Sequence, residues 1–239
     1  QTICRIASMF DQFNFDMLKA LVEEMNRYNE VQLEENYNKF IEALKKSFDG
    51  ERLEKLLHMY SMEELGPNLM LSPASGNVNY HNAYEGGYID HVMNVARNSL
   101  RMLKLYKEAG GMVDFTQEEL LFSAFHHDLG KLGERGNMAY KIQESEWHRK
   151  NRGDVYTWND DISYMTHTDR TFYLLSQYDL KYSEKEFFGI KLTDGIYDED
   201  NMKYLKTFDI KKAQRSNIGH VLHFADLMST LIERDEQRK

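Results

Sequence analysis

A histidine and an aspartate stand side by side at the end of an apolar stretch of the chain. His127 and Asp128 follow a largely apolar stretch over residues 120–125, in which Ser123 is the one polar residue, and Gly130 then favours the end of a helix. An imidazole and a carboxylate are costly to bury unless they are paired or bind something. A divalent metal ion would use both groups, and the rest of the chain must then supply its other ligands.

Two further side chains of metal-binding type are predicted to lie beside buried helical faces. His91 neighbours an apolar stripe that continues at Val95, and Asp226 stands between Ala225 and Leu227. A carboxylate in that position must be paired, hydrogen-bonded or bound to a metal. A single histidine such as His91 is more often an ordinary core or surface residue, so its role depends on the other ligands.

The composition predicts a helical globular protein. Hydrophobic residues make up 41% and charged residues 29% of the 239 residues, which is typical of a folded chain. Only two prolines occur among many Leu, Met, Glu and Lys residues, and this favours an all-α fold. The lone Cys4 fits a reducing cytosol, so we expect a cytoplasmic protein. No apolar run approaches the length of a membrane span, so we expect no membrane partner.

The charge balance is acidic, with 30 basic and 39 acidic residues and a net charge of −9. This charge argues against a broad surface for the phosphate backbone of a nucleic acid. A local basic pocket can still hold a small anion, so the overall charge does not exclude small phosphorylated ligands.

Apolar periodicity predicts helices on both sides of a long loop. Residues 10–65 are predicted to form two or three amphipathic helices. The pattern fails over residues 66–87, a loop in which His81 is either a contact of the site or a surface histidine. Residues 233–239 are predicted to be a charged tail. Further helices are predicted from near Tyr88, after a capping box at residues 116–119, over residues 165–178 and from residue 216 or 217.

The segment 132–165 mixes basic and aromatic residues without clear periodicity. It contains Arg135, His148 and Trp158 among other side chains of these two kinds. Such a mixture favours either a lid that holds a phosphate and stacks a base, or an irregular solvated excursion. Both interpretations stay open from the sequence.

Three predicted helices carry His91, the pair His127-Asp128 and Asp226, in that order. This order resembles the HD-domain superfamily of metal-dependent phosphohydrolases. The sequences Pro-Ala-Ser at residues 73–75 and His-Phe-Ala-Asp at residues 223–226 are similar to HD domains of the 3′–5′ exoribonuclease type, as are residues 81–91 and 127–131. The resemblance covers roughly residues 70–235.

The resemblance implies both a fold and a set of ligands. Residues 70–239 would form the HD-domain helical bundle, and residues 1–69 would form an N-terminal helical region that packs on it. Lys131 would point at a substrate phosphate. The first metal would be bound by His91, His127, Asp128 and Asp226.

A second metal is the weaker expectation, because the sequence departs from the pattern of two-metal HD domains. Many of them add a histidine after the HD pair and a His-His-Gly sequence before the last aspartate. Here His167 could fill the first of these positions, but the second is Thr193-Asp194-Gly195 and contains no histidine. His167 and Asp194 are therefore candidates for a second site, and a single tightly held metal is the preferred interpretation.

The expected ligands limit the metal and the chemistry. Two imidazoles and two carboxylates suit Mn²⁺, Fe²⁺, Co²⁺, Ni²⁺ or Zn²⁺, whereas Mg²⁺ usually prefers all-oxygen sites. Such an ion would polarise a P–O bond and lower the pKa of its bound water. Asp128 would also orient that water, and Lys131 would neutralise charge on the phosphoryl oxygens. Candidates for leaving-group protonation or phosphate binding are His81, Arg97, Arg135 and His148.

The sequence thus predicts a phosphohydrolase that cleaves a phosphoester of a nucleotide or similar small substrate with metal-activated water. One alternative is a 3′–5′ exonuclease on short single-stranded RNA or DNA, with residues 135–158 as an aromatic and basic track. A second is a catalytically inactive ligand-sensing module, in which the change at Thr193-Asp194 has abolished hydrolysis. The loss of the His-His pair argues against a third alternative, an oxygenase with paired irons.

Overall fold

The structure, a computed structural model, describes residues 27–206, 209, 211 and 216–237. These residues form ten α-helices and one antiparallel pair of strands. The helices are α1 (Glu30–Ser47), α2 (Gly50–Met59), α3 (Gly66–Leu71), α4 (Gly87–Glu108), α5 (Gln117–His126), α6 (Glu146–Arg152), α7 (His167–Gln177), α8 (Glu184–Lys191), α9 (Met202–Leu205) and α10 (Ile218–Gln237). The strands are β1 (Tyr140–Ile142) and β2 (Tyr156–Trp158), and short 3₁₀ turns cover Leu129–Leu132, Gly195–Tyr197 and Glu199–Asn201.

Helices make up most of the described chain, which confirms the all-α prediction. The HD-domain type of bundle stays a prediction. Among the helices that the structure describes, not one combines the length and apolar character that crossing a membrane requires. Cys4 lies outside the described residues. So does the first part of the region 10–65, in which two or three helices are predicted.

One hydrophobic core joins the first helices to those that follow. Phe40 of α1 and Leu56 of α2 are fully buried in the same cluster as Phe122 and Phe125 of α5. The rings of Phe40 and Phe125 meet edge to face, with their centroids 5.6 Å apart. Full burial of one such side chain contributes about 1.5–3 kcal/mol. Side chains from both sides of residue 69 share this core, and the domain boundary placed there stays a prediction.

Helices α4 and α10 pack against each other and carry polar side chains into their interface. The α4 stripe that includes Val92 and Val95 is buried, and so are Val221 and Ala225 of α10. Within this interface the Asn98 amide donates a hydrogen bond to Ser229 Oγ at 2.8 Å. The helix predicted to begin near Tyr88 is confirmed as α4, and this packing holds His91 opposite the last helix.

Helix α5 has the cap that the sequence predicts. Thr116 Oγ1 accepts a hydrogen bond from the Glu119 backbone at 3.0 Å, and the Glu119 carboxylate accepts one from the Thr116 backbone at 2.9 Å. Every residue from Leu120 to His126 is buried, because neighbouring elements cover the helix on most sides. The helix ends at His126, so His127 and Asp128 lie at its buried end and the 3₁₀ turn follows them.

Two boundaries differ from the prediction. Residues 66–71 form helix α3 instead of loop, because Pro67 lies in the first turn, where its missing N–H costs nothing. The last helix does not give way to a charged tail at residue 233, since α10 continues to Gln237. Glu233 is 3% exposed and faces α4, whereas Asp235 and Glu236 are exposed.

The segment 132–165 is ordered around a small hairpin. Strands β1 and β2 pair antiparallel with Tyr140 opposite Trp158, and α6 forms the connection between them. A fully buried arginine, Arg170 of α7, binds the Glu134 carboxylate and the Ser163 carbonyl at the two ends of this segment. Helix α7 therefore anchors the segment to the body of the protein.

Candidate metal centre

Four side chains of metal-binding type come together where α4, the end of α5 and α10 meet. His91 Nε2 lies 3.2 Å from Asp226 Oδ1 and 3.4 Å from His127 Nε2. Asp128 Oδ2 lies 3.7 Å from His91 Nε2 and 3.5 Å from His127 Nε2. Two atoms that each lie about 2.1 Å from one ion are about 3.0–3.4 Å apart at octahedral or tetrahedral angles. The shortest of the observed spacings therefore fit a bound metal ion.

Two groups of three side chains could each hold a metal ion: His81, His91 and Glu233 form one, and three of the four side chains above form the other. His91, His127 and Asp226 each offer one ligand atom, and all three atoms lie within 4.8 Å of one another. Asp128 is also buried, but its Oδ2 atom accepts a hydrogen bond from Lys131 Nζ at 2.7 Å. The structure thus contains a group of two buried histidines and a partly buried aspartate that could hold a metal ion, and Asp128 as a fourth ligand stays a prediction.

Hydrogen bonds fix which nitrogen of each imidazole is available. His127 Nδ1 lies 2.8 Å from the Ala124 carbonyl oxygen, and His91 Nδ1 lies 2.9 Å from Glu233 Oε2. Both oxygens can only accept, so each Nδ1 carries the proton and donates it. The Nε2 atoms of both rings therefore point into the group, which is the arrangement that ligation of a metal requires.

The electrostatics of the group favour a cation. Burial lowers the pKa of His91, but its hydrogen bonds with Asp226 and Glu233 outweigh burial and raise that pKa to about 10. Burial likewise lowers the pKa of His127, and Asp128 outweighs it and raises the pKa above the usual value. The carboxylates that attract a proton here would also attract a metal ion, so proton and metal would compete for the same nitrogen atoms.

Glu233 is a functional candidate that the sequence reasoning missed. Its Oε1 atom accepts a hydrogen bond from the Asn94 amide at 2.7 Å, while its Oε2 atom binds His91. Glu233 follows Asp226 by seven residues, which is two helical turns, so the two carboxylates lie on the same face of α10. That spacing is the signal that could have identified it, but the charged residues around it favoured an exposed tail.

A cavity of about 320 Å³ opens beside the metal-binding group. His91, Asp128 and Asp226 line it, together with the cations Lys131 and Arg234. Burial lowers the pKa of Lys131, but Asp128 outweighs it and keeps the ammonium group charged. Burial raises the pKa of Asp128, and Lys131 then holds it well below the usual range. The cavity thus places fixed positive charge next to the candidate ligands.

Arg234 is the second candidate that the sequence reasoning missed, because it was assigned to the charged tail. Its Nε atom is buried without a hydrogen-bond partner. In the described part of the chain its guanidinium group forms no ion pair, whereas Lys131 of the same cavity is paired with Asp128. An unpaired guanidinium at the wall of a cavity is a candidate for binding an anion.

His81 lies beside the metal-binding group, as expected of a contact of the site. Its ring centroid is 4.5 Å from that of His91, and it lines the same cavity. Both ring nitrogens are buried without a partner among the described residues. Burial lowers the pKa of His81 to about 2, which keeps the ring neutral with one N–H to donate.

The two candidates for a second metal site bind each other. His167 Nε2 lies 2.9 Å from Asp194 Oδ2. Burial raises the pKa of Asp194, but this hydrogen bond outweighs it and lowers the pKa. Neither side chain belongs to a group of three metal-binding residues in the part of the chain that the structure describes. A second metal stays a prediction without further ligands to support it.

The remaining predicted substrate contacts are not brought to the cavity. Arg97 donates a hydrogen bond to Asn94 at 3.2 Å, and Arg135 pairs with Glu64 at 3.0 Å. His148 lies 2.8 Å from Ser145 Oγ, at the start of α6. Arg97, Arg135 and His148 do not line the cavity beside the metal-binding group, so their placement gives no support to a role in substrate binding.

The centre is assembled from three elements that are far apart in the sequence. The resemblance to HD domains implies such a meeting of His91, His127-Asp128 and Asp226, and membership of that superfamily stays a prediction. Comparison of the chain with protein-family models, with curated proteins and with solved structures finds no match in any of the three.

Proposed function

We propose that this protein is a metal-dependent phosphohydrolase that acts on a small phosphoester. One observation carries the proposal: His91 and Asp226 line the cavity that also contains Lys131 and Arg234, and His127 completes their metal-binding group. A cation site and an anion site thus lie side by side. Hydrolysis of a phosphoester uses this combination, because charge must be neutralised on the phosphoryl oxygens as the ester bond breaks.

The metal would be held by the Nε2 atoms of His91 and His127 and by the Asp226 carboxylate. Mixed nitrogen and oxygen ligands favour Mn²⁺, Fe²⁺, Co²⁺, Ni²⁺ or Zn²⁺ over Mg²⁺. When bound, such an ion supplies Lewis acidity and lowers the pKa of water. Glu233 and the Ala124 carbonyl hold the two imidazoles in the orientation that this binding needs.

The other polar side chains of the cavity have complementary roles in the proposed reaction. Asp128 accepts a hydrogen bond from the attacking water and orients it. Water adds to phosphorus as the ester P–O bond breaks, and the proton that the water loses passes to the solvent. Lys131 and Arg234 bind the phosphoryl oxygens. Neutral His81 has an unpartnered N–H in the cavity wall and donates a hydrogen bond to the leaving oxygen, which takes its proton from the solvent.

The basic residues of segment 135–158 do not support the exonuclease alternative. A nucleic-acid track needs cations that are free to bind phosphates. In the described structure these side chains bind neighbouring residues instead: Arg135 binds Glu64, Lys141 binds Asp160 and Asp161, Arg149 binds the Gln143 carbonyl, Lys150 binds Glu146, and Arg152 lies near Asp154.

The proposal is tested by metal analysis together with a panel of phosphoesters. The purified protein is expected to bind about one transition metal per chain and to hydrolyse small phosphomonoesters, and Asp226→Asn is expected to lose both properties while staying helical. Asp235→Asn, an exposed carboxylate on the same helix, is the matched control and should behave like the wild type. Full metal content and turnover in Asp226→Asn would overturn the proposed centre. Two irons per chain would instead revive the oxygenase alternative, and a metal-free, inactive wild type would favour the sensing module.

A further inference from the structure

A second, aromatic groove adjoins the cavity of the candidate metal centre. It has a volume of about 750 Å³ and shares Asp194 and Tyr197 with that cavity. Five tyrosine and tryptophan side chains line it, and they come from three separate segments of the chain: Tyr80, Tyr140, Trp158, Tyr164 and Tyr197. The groove and the metal centre therefore form two compartments of one continuous site.

The hairpin and α7 position these aromatic rings. Pairing of β1 with β2 places Tyr140 opposite Trp158, with ring centroids 6.1 Å apart and the rings nearly perpendicular. Tyr164 lies edge-on to Trp158 at 6.4 Å. The guanidinium of the buried Arg170 lies 5.7 Å from the centre of the Trp158 ring. Trp158 is thus held in place by the protein, which favours its use as a rigid stacking surface.

Other rings of the groove are unusually exposed. Tyr164 is 81% exposed, Tyr197 is 78% exposed and Tyr80 is 62% exposed. Several large aromatic side chains that stay exposed around one concave surface indicate a binding site. Stacking of a planar heteroaromatic ring on such side chains strengthens binding by about 5- to 100-fold per base.

The two compartments differ in their charged side chains, and therefore in the kind of group that each can bind. No lysine or arginine lines the groove among the described residues, and its two carboxylates are paired, Asp194 with His167 and Asp198 with Lys191 at 3.0 Å. The cations Lys131 and Arg234 lie in the adjoining cavity instead. The groove therefore suits an uncharged planar ring, and the cavity suits a phosphate.

We propose that the groove binds the base of a mononucleotide whose phosphate lies at Lys131 and Arg234. This inference rests on the proposed phosphohydrolase function and names its substrate class. A longer strand would place further phosphates along the groove, where the described residues supply no cation to receive them. A sugar phosphate without a base would leave the aromatic rings without a partner.

The two tryptophans of the chain allow a direct test. Trp147 is exposed on α6 and does not line the groove, so Trp147→Phe leaves Trp158 as the only tryptophan. Its fluorescence is measured in chelator, without turnover, during titration with adenosine, adenosine 5′-monophosphate, ribose 5-phosphate and a six-nucleotide single strand. Adenosine and its monophosphate are expected to quench Trp158, and ribose 5-phosphate is expected to have no effect. Trp158→Phe, which retains Trp147, is the control that should not respond.

A second variant links the groove to turnover. Tyr164→Ala is expected to lower kcat/KM for the nucleoside monophosphate about 5- to 100-fold, since one stacking contact is lost, and to leave turnover of ribose 5-phosphate unchanged. Equal quenching by ribose 5-phosphate, or quenching by the oligonucleotide alone, would overturn the base-binding groove. Quenching by adenosine in a protein that hydrolyses nothing would retain the groove and reject the phosphohydrolase. Hydrolysis of sugar phosphates without any quenching by adenosine would retain the phosphohydrolase and reject the base-binding groove.

Discussion

The Glu233 carboxylate accepts a hydrogen bond from His91 Nδ1 at 2.9 Å and so turns the Nε2 atom of that ring towards Asp226. Both carboxylates belong to α10, two helical turns apart, while His91 belongs to α4. One helix thus supplies a candidate metal ligand and the group that orients the neighbouring ligand. Loss of such an orienting group commonly lowers the metal affinity by about 10- to 100-fold.

Glu233→Gln is expected to weaken metal binding by about 10- to 100-fold. The carboxylate now accepts from both His91 and the Asn94 amide, and a glutamine would face one of these two donors with its own NH₂ group. Competition with a fluorescent chelator measures the change in affinity. Glu236→Gln alters an exposed residue on the same helix and should have no effect. Unchanged affinity in Glu233→Gln would show that Glu233 does not orient His91.

Metal binding is expected to stabilise the fold, because His91, His127 and Asp226 come from α4, the end of α5 and α10. At a free metal concentration of about 100 times Kd, binding adds about 2.7 kcal/mol. For a domain of this size that corresponds to a rise in Tm of about 5–10 °C. Thermal unfolding with Mn²⁺ and with chelator measures the shift, which should be absent in Asp226→Asn and present in Asp235→Asn.

Lys131→Ala is expected to retain the metal and to lose about 10²-fold in phosphoester turnover, as for removal of one preorganised charge contact. The Lys131 ammonium lies next to Asp128 in the cavity wall, where it would meet the phosphoryl oxygens. Metal content and kcat are measured on the same preparation. Lys39→Ala, at an exposed position of α1, is the control. Turnover at the wild-type rate in Lys131→Ala would remove Lys131 from the proposed mechanism.

Arg234→Gln is expected to weaken competitive inhibition by inorganic phosphate by about 10- to 100-fold, the effect of losing one charge-assisted hydrogen bond. The guanidinium has no ion-pair partner in the described structure, so its removal strands no carboxylate and should leave Tm nearly unchanged. Lys104→Gln replaces an exposed cation on α4 and provides the comparison. An inhibition constant equal to that of the wild type would place the phosphate away from Arg234.

Features that depend on local sequence could be predicted. The cap of α5 needs only Thr116 and Glu119, three residues apart, and the buried character of that helix follows from its own apolar residues. The position of Asp226 beside a buried face likewise follows from its immediate neighbours. These predictions hold because the signals lie within one or two turns of a helix.

Features that depend on long-range packing could not be predicted from the sequence. Glu233 and Arg234 occur in a strongly charged stretch, and only the packing of α10 against α4 distinguishes them from their exposed neighbours. The partner of Arg135 is Glu64, which lies far from it in the sequence and is not evident from composition. Charge alone therefore predicted substrate contacts at Arg135 and His148, which do not line the cavity, and missed Arg234, which does.

Gly130 links the His127-Asp128 turn to α7 at a contact that leaves no room for a side chain. A Cβ atom there would overlap the His167 carbonyl oxygen and lie 2.8 Å from the carbonyl carbon, both of them backbone atoms that cannot rotate away. The Gly130 backbone N–H also donates to Thr171 Oγ1 at 2.9 Å. The close approach holds the turn and the start of α7 in a fixed relation.

Gly130→Ala is therefore expected to destabilise the protein by about 1–3 kcal/mol or more, as overpacking of a tight interior contact does. Because the turn that follows α5 must shift, metal affinity should fall together with stability, even though no ligand is replaced. Chemical unfolding and chelator competition measure the two effects. Gly76→Ala is the comparison, since the nearest atom to its added Cβ, the Tyr156 carbonyl oxygen, lies 3.3 Å away and would need to move by only a few tenths of an ångström. If Gly130→Ala matched Gly76→Ala in both measurements, the backbone of α7 would not constrain the position of His127 and Asp128.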